Sequence, residues 1–368
     1  MAKKFLLISP KNRPTYNFRG DLLKAIAEKG YEVVATGPDK ENVDKIEALG
    51  VRHIVVPLSR NGTSIKSDIQ YYRALLKVIK EEKPDITLGY TVKPSIYGAL
   101  AARKAGVKGV YSMIAGLGYT FTSKTFKAKL LHKIVRFLYK RGLKKTDGVF
   151  FQNPDDMAEF VSTKLVKAEK CTVVNGSGVN MSRYTPTPYP EKLTFFMLAR
   201  VMYCKGAMEY LQAAEAVKKA HPQVRFMLLG AVENIQDSVP KETVEDYVNR
   251  GVIEYFGETL DVRPYFDQCS VYVLPSYREG TPRTVLEAMS MARPVITSDA
   301  PGCRQTVEDG VNGYLVPVKD PKALEEAMLK FVKDPSLVEK MGKESLRLCS
   351  EKFEVGKVNG KMLKVMKI

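Results

Sequence analysis

The chain is poor in the residues that hold a fold together covalently or through a metal. Its five cysteines (Cys171, Cys204, Cys269, Cys303, Cys349) are scattered, odd in number and without C-x-x-C spacing. That pattern excludes a disulfide framework and a zinc ribbon, and it suits a reducing compartment, so a cytoplasmic protein is expected. The three histidines (His53, His132, His221) lie far apart, none with a carboxylate or second histidine at ligand spacing. No metal site is expected. Long apolar runs are missing too: nothing approaches the roughly 18 residues of a spanning helix. The opening Met-Ala-Lys-Lys-Phe-Leu-Leu-Ile-Ser starts like a leader, but its apolar run stops at Ile8 and reads as a first buried strand. With 45% hydrophobic and 27% charged residues and no low-complexity tract, the composition is that of a globular protein.

Acidic residues are scarce in one half only. Residues 1–185 hold 33 Lys and Arg against 16 Asp and Glu, whereas residues 186–368 hold 25 of each. The whole net charge of +17 therefore belongs to the N-terminal half and points to an anionic partner for that half.

At 368 residues the chain exceeds what one core usually fills, so two domains are expected. Both halves alternate short β-branched runs with amphipathic stretches, the pattern of a parallel sheet covered by helices. Strands are expected over 4–9, 31–37, 52–57, 85–89, 109–114 and 148–152, then over 193–199, 224–230, 252–257, 271–275 and 294–298. Helices are expected over 19–29, 66–82 and 95–105. Pro186, Pro188 and Pro190 lie in a stretch, 176–192, that reads as an extended linker. The predicted organisation is a first α/β domain over 1–185, a second over 186–345, and a final helix in 346–368 that packs back toward the first. Two such domains imply a ligand cleft beyond the strand carboxyl ends.

The densest chemistry lies in 271–299. A buried strand ends at Pro275, a loop runs to Gly280, and Thr281 reads as an N-cap with Pro282 in the first helical turn. The free amides of Arg283, Thr284 and Val285 would form an anion site at that helix start. Glu279 before it and Glu287 inside it could accept hydrogen bonds from hydroxyls of one ligand. Taken alone, two glutamates there would merely suit the helix dipole.

Glu279-x7-Glu287, within Pro-Ser-x-x-Glu-Gly-x-Pro-x-x-x-Leu-Glu-Ala-Met, resembles the signature of family-4 retaining glycosyltransferases, and Arg200-x4-Lys205-Gly206 resembles that family's donor-diphosphate clamp. The Pro-Val-Ile-Thr-Ser-Asp strand and the turn Asp309-Gly-Val-Asn-Gly-Tyr agree. The resemblance spans roughly 195–335. It implies an α/β GT-B fold, two Rossmann-like doubly wound domains facing a central cleft. It also implies a UDP-linked sugar donor, no cofactor and no metal. Arg200, Lys205 and Glu279 would be catalytic. Gly280, Thr281, Thr284 and Val285 would line the donor site, with Glu287 on the ribose and Glu279 on the sugar. No Asp-x-Asp is present to carry a metal-bridged diphosphate.

The first half departs from the family in lacking a Gly-Gly loop after the first strand and the histidine that many members carry after the fifth. Its Gly116-Leu-Gly118-Tyr119 and Thr91-Val-Lys93-Pro-Ser-Ile-Tyr-Gly resemble instead a bacterial subgroup. That subgroup extends undecaprenyl-diphosphate-linked sugars and includes N-acetylgalactosaminyltransferases of protein N-glycosylation and capsule enzymes. It implies an N-acetylhexosamine donor and a polyprenyl-diphosphate-linked saccharide acceptor, with Asn17, Arg19, Lys93 and Tyr119 as acceptor candidates.

In 123–145, Phe126, Leu130, Leu131, Ile134, Phe137 and Leu138 fall on one helical face. Basic residues that include Lys124, Lys127, Lys133, Arg136 and Lys140 take the rest, without an acid. Such a helix can lie on an anionic membrane, here the inner face of the cell membrane. It can equally pack its stripe inward and leave a solvated basic face. Two other functions stay open: a UDP-N-acetylglucosamine 2-epimerase-like enzyme, and a basic nucleic-acid-binding protein. The second lacks a recognition helix or aromatic-interleaved motif, so no nucleic acid is expected.

Overall fold

The computed structural model describes residues 2–58, 64–116 and 126–368, the side chains of 126–132 excepted. The chain divides into two compact units, 1–177 with 355–368, and 178–354.

In the first unit β1 (Lys4–Ile8), β2 (Glu32–Gly37), β3 (Arg52–Val55), β4 (Ile86–Tyr90), β5 (Gly109–Ile114), β6 (Gly148–Phe151) and β7 (Cys171–Val173) form one sheet. Their order is β3-β2-β1-β4-β5-β6-β7 and every pairing is parallel. Between the strands run α1 (Asn12–Glu28), α2 (Val43–Glu47), α3 (Ile65–Glu82), α4 (Ala99–Lys104, continuing a π-turn at Pro94–Gly98), α5 (Phe126–Leu143) and α6 (Pro154–Ser162). The second unit holds β8 (Thr194–Leu198), α7 (Ala207–Ala220), β9 (Arg225–Leu229), α8 (Lys241–Asn249), β10 (Glu254–Tyr255), α9 (Arg263–Phe266), β11 (Val271–Leu274), α10 (Arg283–Ser290), β12 (Val295–Ser298), β13 (Gly313–Val316), α11 (Pro321–Lys333) and α12 (Ser336–Leu348). Its sheet, β10-β9-β8-β11-β12-β13, is parallel throughout. The last helix, α13 (Val355–Met366), belongs to the first unit.

Sheets covered on both faces need strands apolar on both faces, and β1 shows why its sequence reads as a run. Phe5 and Leu7 pack with Leu22, Leu23 and Ile26 of α1 and with Val358 and Met362 of α13. Leu6 and Ile8 point the other way, toward Tyr71, Leu75 and Ile79 of α3 and the alanines of α4. Local chemistry sets the helix starts. The Ser64 hydroxyl accepts from the Ser67 amide, and Asn153 and Asp320 cap α6 and α11 ahead of prolines that need no amide partner.

The unit boundaries fall at 177/178 and 354/355, not at 185/186 and 345/346. The proline stretch is not a free linker because its other side chains are held by the second unit. Val179 and Tyr184 sit in its core. The fully buried Arg293 donates to Thr187 Oγ1 (2.9 Å) and the Pro188 carbonyl (3.2 Å) and stacks over Tyr189, while the Tyr189 hydroxyl donates to the Ala292 carbonyl (2.7 Å). Two further segments differ from expectation. The stretch after β1 is helical from Asn12, since Pro14 sits in a first turn whose amides have no intrahelical partner anyway. The Asp309 turn leads directly into β13, a strand too short and too exposed in its middle to read as an apolar run.

Candidate functional site

In the second sheet the strand order reverses between β8 and β11, the position where doubly wound sheets take ligands beyond the strand carboxyl ends. The two loops that leave these strands carry the residues singled out by sequence: Arg200 and Lys205 after β8, Glu279, Gly280 and Thr281 after β11. Backbone contacts lock the loops together. Tyr277 N–H donates to the Cys204 carbonyl at 2.9 Å, and the Ser276 hydroxyl reaches the same oxygen at 3.2 Å. Gly206, at φ +73°, lies so close to the second loop that a Cβ there would stand 2.2 Å from the Pro275 carbonyl oxygen. That contact explains the glycine after Lys205.

Across this junction Lys205 Nζ donates to Glu279 Oε1 at 2.5 Å, with the two side chains 20% and 16% exposed. Burial pulls the Lys205 ammonium down, but the Glu279 charge and hydrogen bond more than reverse that, so it titrates above the ordinary lysine value. Its neighbour Cys204 is pushed up to about 12, first by burial and then by Asp237, and remains a thiol. Arg200 is half-exposed and pairs with Glu233 at 3.0 Å. Its charge still bears on Lys205, which it opposes.

The start of α10 corrects the expectation in two respects. Pro282, whose side chain makes no capping hydrogen bond, occupies the N-cap position and Arg283 the first helical one, so Thr281 is not the N-cap. The Val285 amide is already bonded to the Pro282 carbonyl (3.1 Å) and its side chain is fully buried, which removes Val285 from the candidate anion contacts. The Thr284 hydroxyl accepts from the buried Tyr272 hydroxyl at 2.6 Å, so α10 is pinned to β11. Glu287 lies a turn further in, ion-paired with Arg283 at 3.2 Å. Burial raises its carboxyl above the ordinary value, against the Arg283 charge and a hydrogen bond from the Tyr184 hydroxyl. Tyr184 was missed by sequence reasoning. It lies in the stretch read as linker, about a hundred residues from its partner, and carries no local signal.

The first-unit candidates are more dispersed. Asn17 is half-buried on α1. Arg19, on the same helix, is fully buried with its guanidinium 5.0 Å over the Tyr90 ring, so it sits within the unit and not on a ligand-facing surface. Lys93 pairs with Asp68 at 2.7 Å, and the Tyr97 hydroxyl donates to the other oxygen of Asp68 at 2.8 Å. Beside it Thr91, at the end of β4, has φ +73°, a strained value for a β-branched residue. It marks the reversal point of the first sheet, between β1 and β4. Tyr119 and Lys124 lie outside the described residues, and of Lys127 only the backbone is described.

On α5 the single apolar stripe splits in two. Tyr139 and Leu143 are buried with Leu138 packed beside them, whereas Ile134 and Phe137 are 49% and 57% exposed. Lys133 and Lys140 are exposed and Arg136 is half-buried. Among the described residues no helix is long and apolar enough to cross a membrane, and no group of three His, Cys, Asp or Glu is placed to hold a metal ion.

Two family models match the chain: "Glycosyl transferases group 1" over 183–347 and "Glycosyl transferase 4-like" over 4–153. The N,N'-diacetylbacillosaminyl-diphospho-undecaprenol alpha-1,3-N-acetylgalactosaminyltransferase of Campylobacter jejuni is 28% identical over 88% of this chain and 87% of its own length. The UDP-Gal:alpha-D-GlcNAc-diphosphoundecaprenol alpha-1,3-galactosyltransferase of Escherichia coli is 25% identical over 78% and 76%. Among solved structures, Anabaena HepE in complex with UDP-glucose superposes with a TM-score of 0.80 at 16% identity, covering 99% of both chains. Sucrose-phosphate synthase from Thermosynechococcus elongatus gives 0.83 at 19% identity, over 99% of this chain and 98% of its own. The fold is GT-B, and each half of the chain matches a glycosyltransferase model.

Proposed function

We propose that this glycosyltransferase moves a sugar, of the N-acetylhexosamine class, from a UDP-sugar to a polyprenyl-diphosphate-linked saccharide, with retention at the anomeric carbon and without a metal. The observation that carries the donor half is the placement of Lys205 and Glu279 at the reversal point of the second sheet, beside the start of α10. Departure of the nucleoside diphosphate builds negative charge on its β-phosphate oxygen. Preorganised cations at that position stabilise the transition state more than the bound substrate. Lys205, with Arg200 swinging from Glu233, supplies the cations, and the first amides of α10 add the positive end of the helix. Glu287, held by Arg283 and Tyr184, is preorganised to accept the ribose hydroxyls. Glu279 would accept from the donor sugar. The acceptor hydroxyl attacks the anomeric carbon on the face that the diphosphate leaves, and its proton passes to the departing phosphate oxygen.

The acceptor half rests on the activities of the two relatives and on charge. The first unit holds 36 Lys and Arg against 16 Asp and Glu, a surplus of +20. Exposed Ile134 and Phe137 among the basic residues of α5 suit a peripheral position on an anionic membrane, where such an acceptor is embedded. The deciding experiment incubates the protein with a panel of UDP-sugars, with and without short polyprenyl-diphosphate-linked saccharides, and reads product and anomer by NMR. Transfer that needs both partners and retains the anomer supports the reading. Epimerisation of the free UDP-sugar would replace it with the epimerase alternative.

A further inference from the structure

An incoming anion must share or displace the contact that Lys205 Nζ already makes with one of its three N–H donors. That contact belongs to Glu279, at 2.5 Å between side chains 20% and 16% exposed. The backbones on both sides are fixed. Gly206 lies against the Pro275 carbonyl, the Glu279 amide donates to the Pro301 carbonyl at 2.9 Å, and Gly302 is so close that a Cβ would stand 2.2 Å from the Glu279 carbonyl oxygen. These contacts tie the two loops together, so the exchange proposed below is assigned to the side chains. Glu287 is not part of the exchange, because Arg283 on its own helix neutralises it.

Resting on the donor reading above, we propose that Glu279 competes with the donor's diphosphate for Lys205. Binding the donor is an exchange of anions. The diphosphate takes the ammonium, and the released carboxylate becomes available to accept hydroxyls of the sugar. After transfer the sugar is gone and Glu279 can re-form its pair with Lys205. Its return weakens the hold on UDP and drives product release. The same residue thus favours the intact donor over the spent nucleotide, which a plain sugar-binding glutamate would not do.

The test is calorimetric titration of UDP and of an intact UDP-sugar into wild type, Glu279→Gln, Lys205→Ala and the double variant. Glu279→Gln should bind UDP roughly 5- to 50-fold more tightly, the range expected when a charge-assisted contact no longer has to be broken. It should gain less, or lose, for the intact donor. In the Lys205→Ala background the gain for UDP should largely vanish. Glu279→Asp, with a shorter reach, should tighten UDP by a smaller factor and serves if Glu279→Gln fails to fold. Unchanged or weaker UDP binding in a folded Glu279 variant overturns the exchange while leaving the donor site standing. A wild-type chain that binds neither UDP nor any other nucleoside diphosphate overturns the donor reading and the exchange together.

Discussion

The first unit carries +20 and the second 22 Lys and Arg against 25 Asp and Glu, or −3, yet their sheets share the same strand order from the third strand to the sixth. Both are proposed to meet anions. The acidic unit would do so with a few placed groups: one half-buried lysine, one arginine and a helix start. The basic unit has a surplus spread over exposed side chains, among them Lys357, Lys361 and Lys364 of α13 and Lys367 just beyond it, as well as those of α5. Placed charges act over one bond length in a site from which water is largely excluded. Diffuse charge acts at a distance and is weakened by salt. A sign of net charge therefore says little about a unit that binds its anion at a built site.

The comparison breaks most visibly at Lys205. Lys205→Ala should lower turnover by about 10- to 150-fold or more, because a charge-assisted contact of roughly 1.5–3 kcal/mol is lost where charge develops. Arg200→Ala should lose less, since its side chain is 51% exposed and already shared with Glu233. Steady-state kinetics on both variants would measure this. Equal, negligible effects in folded protein would remove the pair from the chemistry.

Next in size is an effect on stability confined to the second unit. Arg293→Leu would leave Thr187 Oγ1 and the Pro188 carbonyl without their buried donor, and should destabilise that unit by about 1–3 kcal/mol. Hydrogen exchange should report the loss in 178–192 and α12 and not in the first sheet. Uniform loss across both units would mean that the proline stretch is shared between them and does not belong to the second alone.

How far the sequence was legible follows the same divide. Strands buried on both faces, such as β1, β8 and β11, read directly as apolar runs, and the donor motif lay in one contiguous segment with its own helix start. Two short strands were not legible: β7 has three half-buried residues, and the middle of β13 is only half-buried. Nor was anything set by partners far along the chain. The burial of Arg19 over Tyr90, the Lys93–Asp68 pair and the hydrogen bond from Tyr184 to Glu287 depend on long-range packing that no local pattern encodes. The glutamates were readable as residues but not as an ion pair and a buried carboxyl.

A smaller effect on chemistry, though a large one on attachment, is expected from α5. Replacing Lys133, Lys140, Arg141 and Lys144 by glutamine removes four basic residues that are all exposed. At about 1 kcal/mol per basic residue near an anionic surface, most co-sedimentation with phosphatidylserine-containing vesicles should disappear. UDP affinity should not change, because the donor loops belong to the other unit. Wild-type attachment should also fall as salt rises past the roughly 8 Å screening length of physiological buffer. Attachment by the quadruple variant equal to wild type would move the docking surface elsewhere, α13 being the next to test.

The smallest expected effect is none at all, on adding a chelator. A metal in such an enzyme would neutralise the diphosphate as it leaves. A net charge of −3 in the second unit offers no general attraction for the diphosphate, so the proposed metal-free reaction depends on the placed groups. Lys205 is kept protonated by its neighbourhood, Arg200 lies within its electrostatic reach, and α10 directs the positive end of a helix to the same loops. On the proposed reading, these together would supply at the departing oxygen what a divalent ion supplies elsewhere. Turnover measured in excess EDTA should match turnover without it, and added magnesium or manganese should not raise it. The control is Lys205→Ala: if a metal were the true partner of the phosphate, that variant would keep a metal-dependent activity which EDTA abolishes. A wild-type requirement for added metal would end the distinction between a unit with placed charge and a unit with diffuse charge, since the second would then depend on an imported cation.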